Sequence, residues 1–365
     1  MRTSPTILLA VASTIRSALV VNAAPAPVQP NLIVFGDSLS DNGNTAALTH
    51  NSTGYWQGHA SNSYVWNEYV AKLLDLKLEN HAYGGATSNN VLSPVEIGNI
   101  TIPSFHDQVD AWLQQNQSPS PFNLNNDIIQ VEIGSNDVFR HLAGLLNGTT
   151  TVLSLAAQLS SNIGDDVQRL ADAGYKNINV WNLPTLDRTP AVLSLGAAAL
   201  VKPLIAFING AISIAINSVI ARSSSRTQGI HLLDLNHLMG VAFDPQVLAA
   251  LGVVDSTDAC YVKSASGQVT VCSNPDQHVF YDNVHPGSRV HYLWGVFASV
   301  LTRNPDAIVD VPAALALIKT FDIQDSNHDN NIIVGGITSP ESSAIPPDST
   351  TAPTSTTPVV VPTAS

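Results

Sequence analysis

Five short apolar runs, separated by stretches of helical periodicity, constrain this chain more than any other feature. They are Asn31–Phe35, Leu76–Tyr83, Asp127–Ile133, Asn177–Leu183 and Gly229–Leu235. Each has about the length of a buried strand, and in the third the apolar residues Ile128, Ile129, Val131 and Ile133 fall on both faces. Between the runs lie helical stripes, such as Val65, Trp66, Tyr69, Val70, Leu73 and Leu74, and then Phe105, Val109, Trp112 and Leu113. Strands alternating with helices predict an α/β fold: a three-layer α/β/α sandwich with a central, mainly parallel five-stranded sheet. In such sheets ligands bind at the carboxyl ends of the strands. The polar clusters obey that rule. Ser38 follows the first run, Gly84-Gly85 the second and Asn136 the third.

The ends of the chain read differently from its middle. Residues 1–23 resemble a secretory signal, with Arg2 ahead of an apolar stretch from Thr6 to Val20 and small residues at Val21-Asn22-Ala23, although Arg16 interrupts the run. Residues 24–331 are expected to form one domain. Residues 335–365 are dominated by Ser, Thr and Pro, a composition that packs no core and resembles an O-glycosylated stalk. Residues 41–63 read as a polar loop. Residues 191–222, rich in Ala, Ile and Leu but broken by Lys202, Pro203 and Asn209, read as a core helix rather than a membrane span. His285-Pro286-Gly287 is expected to start a last helix through Leu301.

A net charge of -13 with only 12% charged residues, and no basic cluster, argues against nucleic acid and against an anionic membrane surface as partners. Asn-X-Ser/Thr triplets stand at Asn51, Asn99, Asn116 and Asn147. With the leader they point to a secreted, extracellular glycoprotein. Cys260 and Cys272 suit the same compartment, where their disulfide would stabilise by about 3 kcal/mol through closure of a short loop. A metal centre is not expected, because two cysteines twelve apart lack a second ligand pair at zinc spacing. No cofactor is expected either.

The chemistry-bearing residues are spread along the chain. A serine hydroxyl becomes a nucleophile only when a base takes its proton. Near the other end stand Asp282 and His285, three residues apart. On one turn, a carboxylate at that spacing can hold one imidazole nitrogen and leave the other to serve the serine. Taken singly, Ser38 and Asn136 also read as helix N-caps, and Gly84-Gly85 as a strand-ending turn.

Four blocks in this order resemble the GDSL lipase/esterase family of the SGNH hydrolases. They are Gly36-Asp37-Ser38-Leu39-Ser40-Asp41-Asn42-Gly43-Asn44, Tyr83-Gly84-Gly85-Ala86-Thr87, Gly134-Ser135-Asn136-Asp137 and Asp282-Asn283-Val284-His285-Pro286. Gly58-His59-Ala60-Ser61-Asn62 and Val65–Tyr69 resemble the family's segment after block one. The first block lacks the trailing glycine of the Gly-x-Ser-x-Gly elbow. The resemblance implies a flavodoxin-like sandwich and a serine ester hydrolase. Ser38 would be the nucleophile, His285 the base and Asp282 its orienter. The backbone N–H groups of Ser38 and Gly85 and the side-chain amide of Asn136 would form the oxyanion hole. Asp37 would brace the turn.

Within the family the likeness is nearest to secreted fungal carbohydrate esterases of the acetylesterase type. It rests on the leader, Tyr55-Trp56-Gln57-Gly58 and a cysteine-bearing loop before Asp282. That implies a small ester or acetylated oligosaccharide from plant cell walls as substrate, with Tyr55, Trp56 and Trp66 as candidates to stack on a sugar, although aromatics in an apolar helix more often belong to the core. The alternatives are a lipase or phospholipase for longer acyl chains, and a secreted carbohydrate-binding protein with a dead site.

Overall fold

A computed structural model describes residues 29–51, 55–116, 124–223 and 229–325. The expected leader (1–23) and the Ser/Thr/Pro tail (335–365) lie outside the described residues. The strands are β1 (Asn31–Gly36), β2 (Lys77–Asn80), β3 (Glu96–Ile97), β4 (Ile100–Thr101), β5 (Ile128–Glu132), β6 (Asn177–Trp181), β7 (Gly229–Leu233), β8 (Asp255–Ala259), β9 (Tyr261–Lys263), β10 (Val269–Val271) and β11 (His278–Phe280). The helices are α1 (Asn44–Thr49), α2 (Trp66–Leu74), α3 (Phe105–Gln115), α4 (Ser135–Asn147), α5 (Val152–Asp172), α6 (Pro190–Ser194), α7 (Ala198–Ser223), α8 (Leu235–Ala242), α9 (Pro245–Ala250), α10 (Ser288–Arg303) and α11 (Val311–Thr320).

The five apolar runs form one sheet in the order β2-β1-β5-β6-β7. Every pairing in it is parallel. Inner parallel strands bury both faces, which is why β1, β5 and β6 are rich in Ile, Val and Leu, whereas the edge strand β2 (Lys77–Asn80) is only partly buried and carries Lys77, Glu79 and Asn80. Ile33, Phe35, Ile129, Val131, Ile178, Val180 and Ile230 face one core layer, built with α3, α4, α5 and α7. Leu32, Val34, Trp181 and Leu233 face the other, built with α2 and the helices α8 to α11. This is the flavodoxin-like three-layer sandwich the sequence implied. The strand order reverses between β1 and β5, so a crevice opens at their carboxyl ends.

Three details depart from the sequence reading. β2 ends at Asn80 rather than Tyr83, because the Asn80 side chain turns back: its Oδ1 accepts from Ala82 N–H (2.9 Å) and its amide donates to Ser40 O (2.7 Å). The expected loop 41–63 contains α1, whose first N–H groups are gathered by the Asp41 carboxylate. Its Oδ1 accepts from Gly43 and Asn44, and its Oδ2 from Thr45. The third is α7. It is long and apolar enough, by length and composition, to cross a bilayer. Val201, Leu204, Ile205, Ile208, Ile212, Ile216 and Val219 pack it inward, yet Leu200, Phe207 and Ile214 stand exposed, so only one face is core.

The tightest helix contact is between α2 and α10. A Cβ on Gly295 would lie 2.5 Å from Tyr69 Cβ and 2.8 Å from Trp66 O. The same closeness stacks Trp66 on Trp294 with ring centroids 4.6 Å apart. Gly295→Val should therefore push the two helices apart and destabilise the domain by about 3 kcal/mol, read as a lowered urea midpoint.

Candidate active site

β1 delivers the serine. Its last residue, Gly36, runs so close to β5 that a Cβ there would meet Glu132 O at 2.4 Å. Only glycine allows that approach. The Gln108 side chain of α3 satisfies Gly36 on both sides, accepting from its N–H (2.9 Å) and donating to its carbonyl (2.9 Å). The chain then turns sharply: Asp37 O accepts from Ser40 N–H (3.0 Å) and Asp41 N–H (2.9 Å), and Asp37 Oδ1 accepts from Leu39 N–H (3.0 Å). Asp37 is buried inside the turn and Ser38 is left partly open on its outside. No helix begins at Ser38, so it caps none; α1 starts six residues on, after Gly43.

Three residues from distant positions meet there. Ser38 Oγ lies 2.7 Å from His285 Nε2, and His285 Nδ1 lies 2.8 Å from Asp282 Oδ2. Asp282 and His285 sit on a tight loop ahead of α10, not on a helical turn, and α10 begins at Ser288. The loop is closed locally: Asp282 Oδ1 accepts from Val284 N–H (2.8 Å) and His285 N–H (2.7 Å), and Tyr281 N–H donates to His285 O (2.8 Å). Ser61 Oγ donates to Pro286 O (3.0 Å), and Asn62 Oδ1 accepts from Ser288 N–H (2.8 Å), which gives the Gly58–Asn62 segment its purpose. Burial disfavours an imidazolium here, but the charge and hydrogen bond of Asp282, with the charge of Asp37, outweigh it and hold His285 above the ordinary histidine value. Burial works against the Asp282 carboxylate too, and His285, Tyr55 and the loop N–H groups still bring its pKa below the ordinary value.

The other predicted residues surround this relay. Gly84 N–H is held by Asp41 Oδ2 (2.8 Å), whereas Gly85 next to it sits in the left-handed region at φ 87°. Asn136 lies in the first turn of α4, behind Gly134 as the N-cap. One hydrogen of its amide donates to Ala86 O (2.9 Å), tying it to the segment that carries Gly85. The neighbouring Asp137 is fully buried and accepts from Ser88 N–H (2.9 Å) and Ser88 Oγ (2.8 Å). Beneath the serine turn, burial pushes the Asp37 carboxyl up to about 7, against the pull of Leu39 N–H and the His285 charge. Glu132, equally buried and beside Asp37, is raised as well.

Several residues escaped the sequence reading. Glu132 accepts from Ser40 Oγ (3.0 Å), which in turn accepts from Trp66 Nε1 (3.1 Å). Trp66 is therefore a buried core residue wedged between Trp181 and Trp294, as its place in an apolar helical stripe indicated, and it is not open to a sugar. Tyr55 does not lie free either: its hydroxyl donates to Asp282 Oδ2 (2.7 Å). Trp56 packs on His59 and Tyr64. Cys260 and Cys272 form a disulfide beside the β9–β10 hairpin. Asn51, Asn99 and Asn147 are exposed, whereas Asn116 is half-buried with its amide donating to Trp112 O (2.8 Å). Among the described residues no group of His, Cys, Asp and Glu side chains is arranged to hold a metal ion.

The sequence profile described as GDSL-like Lipase/Acylhydrolase matches residues 32–295. The thermolabile hemolysin of Vibrio parahaemolyticus is 30% identical over 46% of this chain and 37% of its own length. An acetylesterase of Thermothelomyces thermophilus is 31% identical over 44% of this chain and 56% of its own. The phosphatidylcholine-sterol acyltransferase of Aeromonas hydrophila is 28% identical over 67% of this chain and 69% of its own. The chain thus spans about half the length of the first two relatives. Among solved structures, an acetyl xylan esterase variant from Geobacillus stearothermophilus shares 13% identity at a TM-score of 0.39, covering 77% of this chain and 96% of that one.

The raised His285 value has a measurable consequence. Only neutral imidazole can take the Ser38 proton. Covalent labelling of Ser38 by a fluorophosphonate should slow as pH falls through a midpoint above the ordinary 6.5. Asp282→Asn should move that midpoint down, since Asp282 is what holds it up.

Proposed function

This chain belongs to the GDSL-like lipase/acylhydrolase family, and we propose that it is a secreted serine esterase that cleaves acetyl esters of plant cell-wall oligosaccharides. The observation that carries the chemistry is the unbroken relay from Ser38 Oγ through His285 to Asp282. Ser38 Oγ attacks the ester carbonyl carbon while His285 Nε2 takes its proton. The carbonyl electron pair moves onto oxygen, and the N–H groups of Ser38 and Gly85 and the free amide hydrogen of Asn136 receive that oxyanion. Collapse expels the alcohol, which takes the proton back from His285 and leaves an acyl group on Ser38. Water then attacks the acyl carbon by the same route, releasing the acid. The engagement of Gly84 N–H by Asp41 favours Gly85 as the second backbone donor. The amide of Asn136 is oriented by its bond to Ala86 O, so its second hydrogen is aimed before substrate arrives. Asp37 braces the turn and does not react.

The acetyl reading draws on the likeness to the Thermothelomyces acetylesterase. Secretion draws on the leader-like start, the disulfide and the three exposed sequon asparagines. One observation favours a second substrate class, longer acyl chains. Leu193, Leu195 and Leu200, from α6 to the start of α7, are exposed, and Ala191 N–H of α6 donates to Asn283 O in the triad loop (2.9 Å). An apolar shoulder beside the site would suit an acyl tail.

Ser38→Ala should lower kcat/KM on p-nitrophenyl acetate by about 10,000-fold with an unchanged melting temperature. Retained activity would reject the nucleophile, and a folded wild-type protein inert to fluorophosphonate would support a dead-site binding protein. Asn136→Asp puts negative charge where the oxyanion forms and should cost about 100- to 1000-fold in kcat. Rates on p-nitrophenyl esters should fall from C2 to C8; a rise instead supports the lipid reading.

A further inference from the structure

Asp282 is 4% exposed, and its two oxygens take four hydrogen bonds, about as many as a carboxylate can accept. Three of the four donors, Val284 N–H, His285 N–H and His285 Nδ1, belong to the same short loop and would travel with it. The fourth is Tyr55, 227 residues away in sequence. We propose that Tyr55 is a positioning residue for the Ser38 relay: its hydroxyl fixes the Asp282 carboxylate, and with it the His285 ring, relative to the part of the chain that carries Ser38. This rests on the esterase reading above.

The surroundings of Tyr55 fit a fixed strut. Its ring packs against Tyr261 (centroids 5.6 Å), Tyr281 (6.2 Å) and His285 edge-on (6.3 Å). Tyr261 follows the disulfide-bonded Cys260, and its N–H bonds Tyr281 O, while Cys260 N–H bonds Phe280 O (3.2 Å). The hairpin that seats Tyr55 is thus hydrogen-bonded to the strand that leads into Asp282. Burial, and then the Asp282 charge, push the Tyr55 phenol above its ordinary value, so it stays a donor throughout the working range. It also shares Oδ2 with His285. A donor on that oxygen draws off negative charge that would otherwise stabilise the imidazolium. The other charge that acts on His285 is Asp37 from the serine turn; His291 of α10, buried and held neutral by that burial and by the His285 charge, adds none, and Tyr261 and Tyr281 are kept protonated by burial and the Asp282 charge. Tyr55→Phe leaves all of these in place.

Tyr55→Phe keeps the ring and removes the one donor. On p-nitrophenyl acetate we expect kcat to fall about tenfold, the scale of one hydrogen bond to a charged group, with KM within about twofold. The acid limb of kcat/KM should move to higher pH, and in an Asp282→Asn background the same change should have no further effect on kcat. An unchanged kcat and acid limb would overturn the proposal. So would a rise in KM alone, which would make Tyr55 a substrate contact, or a loss that simply adds to that of Asp282→Asn. Activity retained by Ser38→Ala would instead strike the esterase reading itself, so the two failures are separable.

Discussion

The active site depends first on where β1 stops. A parallel strand that ends without partners leaves bare backbone groups in a crevice, and a buried bare group costs about as much as a lost hydrogen bond. At Gly36 that cost is removed by Gln108, which accepts from its N–H and donates to its carbonyl, and by Tyr83, whose N–H donates to the same carbonyl (3.1 Å). The chain can then leave the sheet at once, and the absent Cβ lets it leave against Glu132 O. Ser40 is fixed from three further directions, since Asn67 and Asn80 both donate to its carbonyl (2.7 Å each) and Glu132 accepts from its hydroxyl. A turn held at Gly36 before it and Ser40 after it leaves Ser38 little freedom. Its oxygen can therefore stay within hydrogen-bond reach of an imidazole that arrives 247 residues later. That pre-set geometry is what intramolecular positioning contributes to rate.

The acidic side chains beneath the turn divide by what answers their charge. Asp282 has four donors and a neighbouring imidazole, so it ionises readily. Asp37 and Glu132 lie beside each other, and burial raises both, the His285 charge pulling Asp37 down without offsetting it. Two buried carboxyls side by side are satisfied by holding a proton between them. A carboxyl whose folded pKa lies near 7, above its unfolded 3.8, keeps its proton where the unfolded chain has lost its own. Its contribution to stability is full below about 4 and is lost as pH rises toward 7. Asp282 runs the other way, contributing above its unfolded pKa and losing that contribution as pH falls through its lowered folded one. The site thus sets a stability that favours mild acid against an activity that needs neutral His285.

Legibility in the sequence followed the range of the interactions. The sheet was readable because each strand carries its own apolar run, and burial on both faces leaves a local mark in residues such as Ile128, Ile129 and Val131. Ser38, Asp282 and His285 were readable because they stand in short ordered blocks. Gln108, Glu132 and the role of Asp41 were not. Gln108 and Glu132 act on groups tens of residues away (72 for Gln108 to Gly36, 92 for Ser40 to Glu132). Asp41, besides its local bonds to the start of α1, reaches Gly84 N–H 43 residues on, and no local spacing records those long-range bonds. Trp66 carried two readings, core and sugar platform, for a related reason. An aromatic in an amphipathic stripe looks the same whether it meets solvent or, as here, another helix at the distance Gly295 permits.

α7 shows the same limit from the other side. Its composition marks a core helix, and its inward stripe is one, packed on α5 so closely that a Cβ on Gly164 would meet Ala215 Cβ at 3.3 Å. A helix apolar all round normally has neighbours all round. This one covers only the sheet's first layer, so Leu200, Phe207 and Ile214, spaced seven apart, remain on one open line. Leu193 of α6 and Leu195 just after it are exposed as well, and α6 is bonded to the loop that carries Asp282 and His285. Ala191 N–H, donating to Asn283 O (2.9 Å), places these exposed leucines next to the proposed triad loop. The acyl preference proposed for the site is then a question of whether substrate approaches past those leucines or from the side where Asn80 donates to Ser40 O, itself backed by the Asn44 amide on Asn80 O.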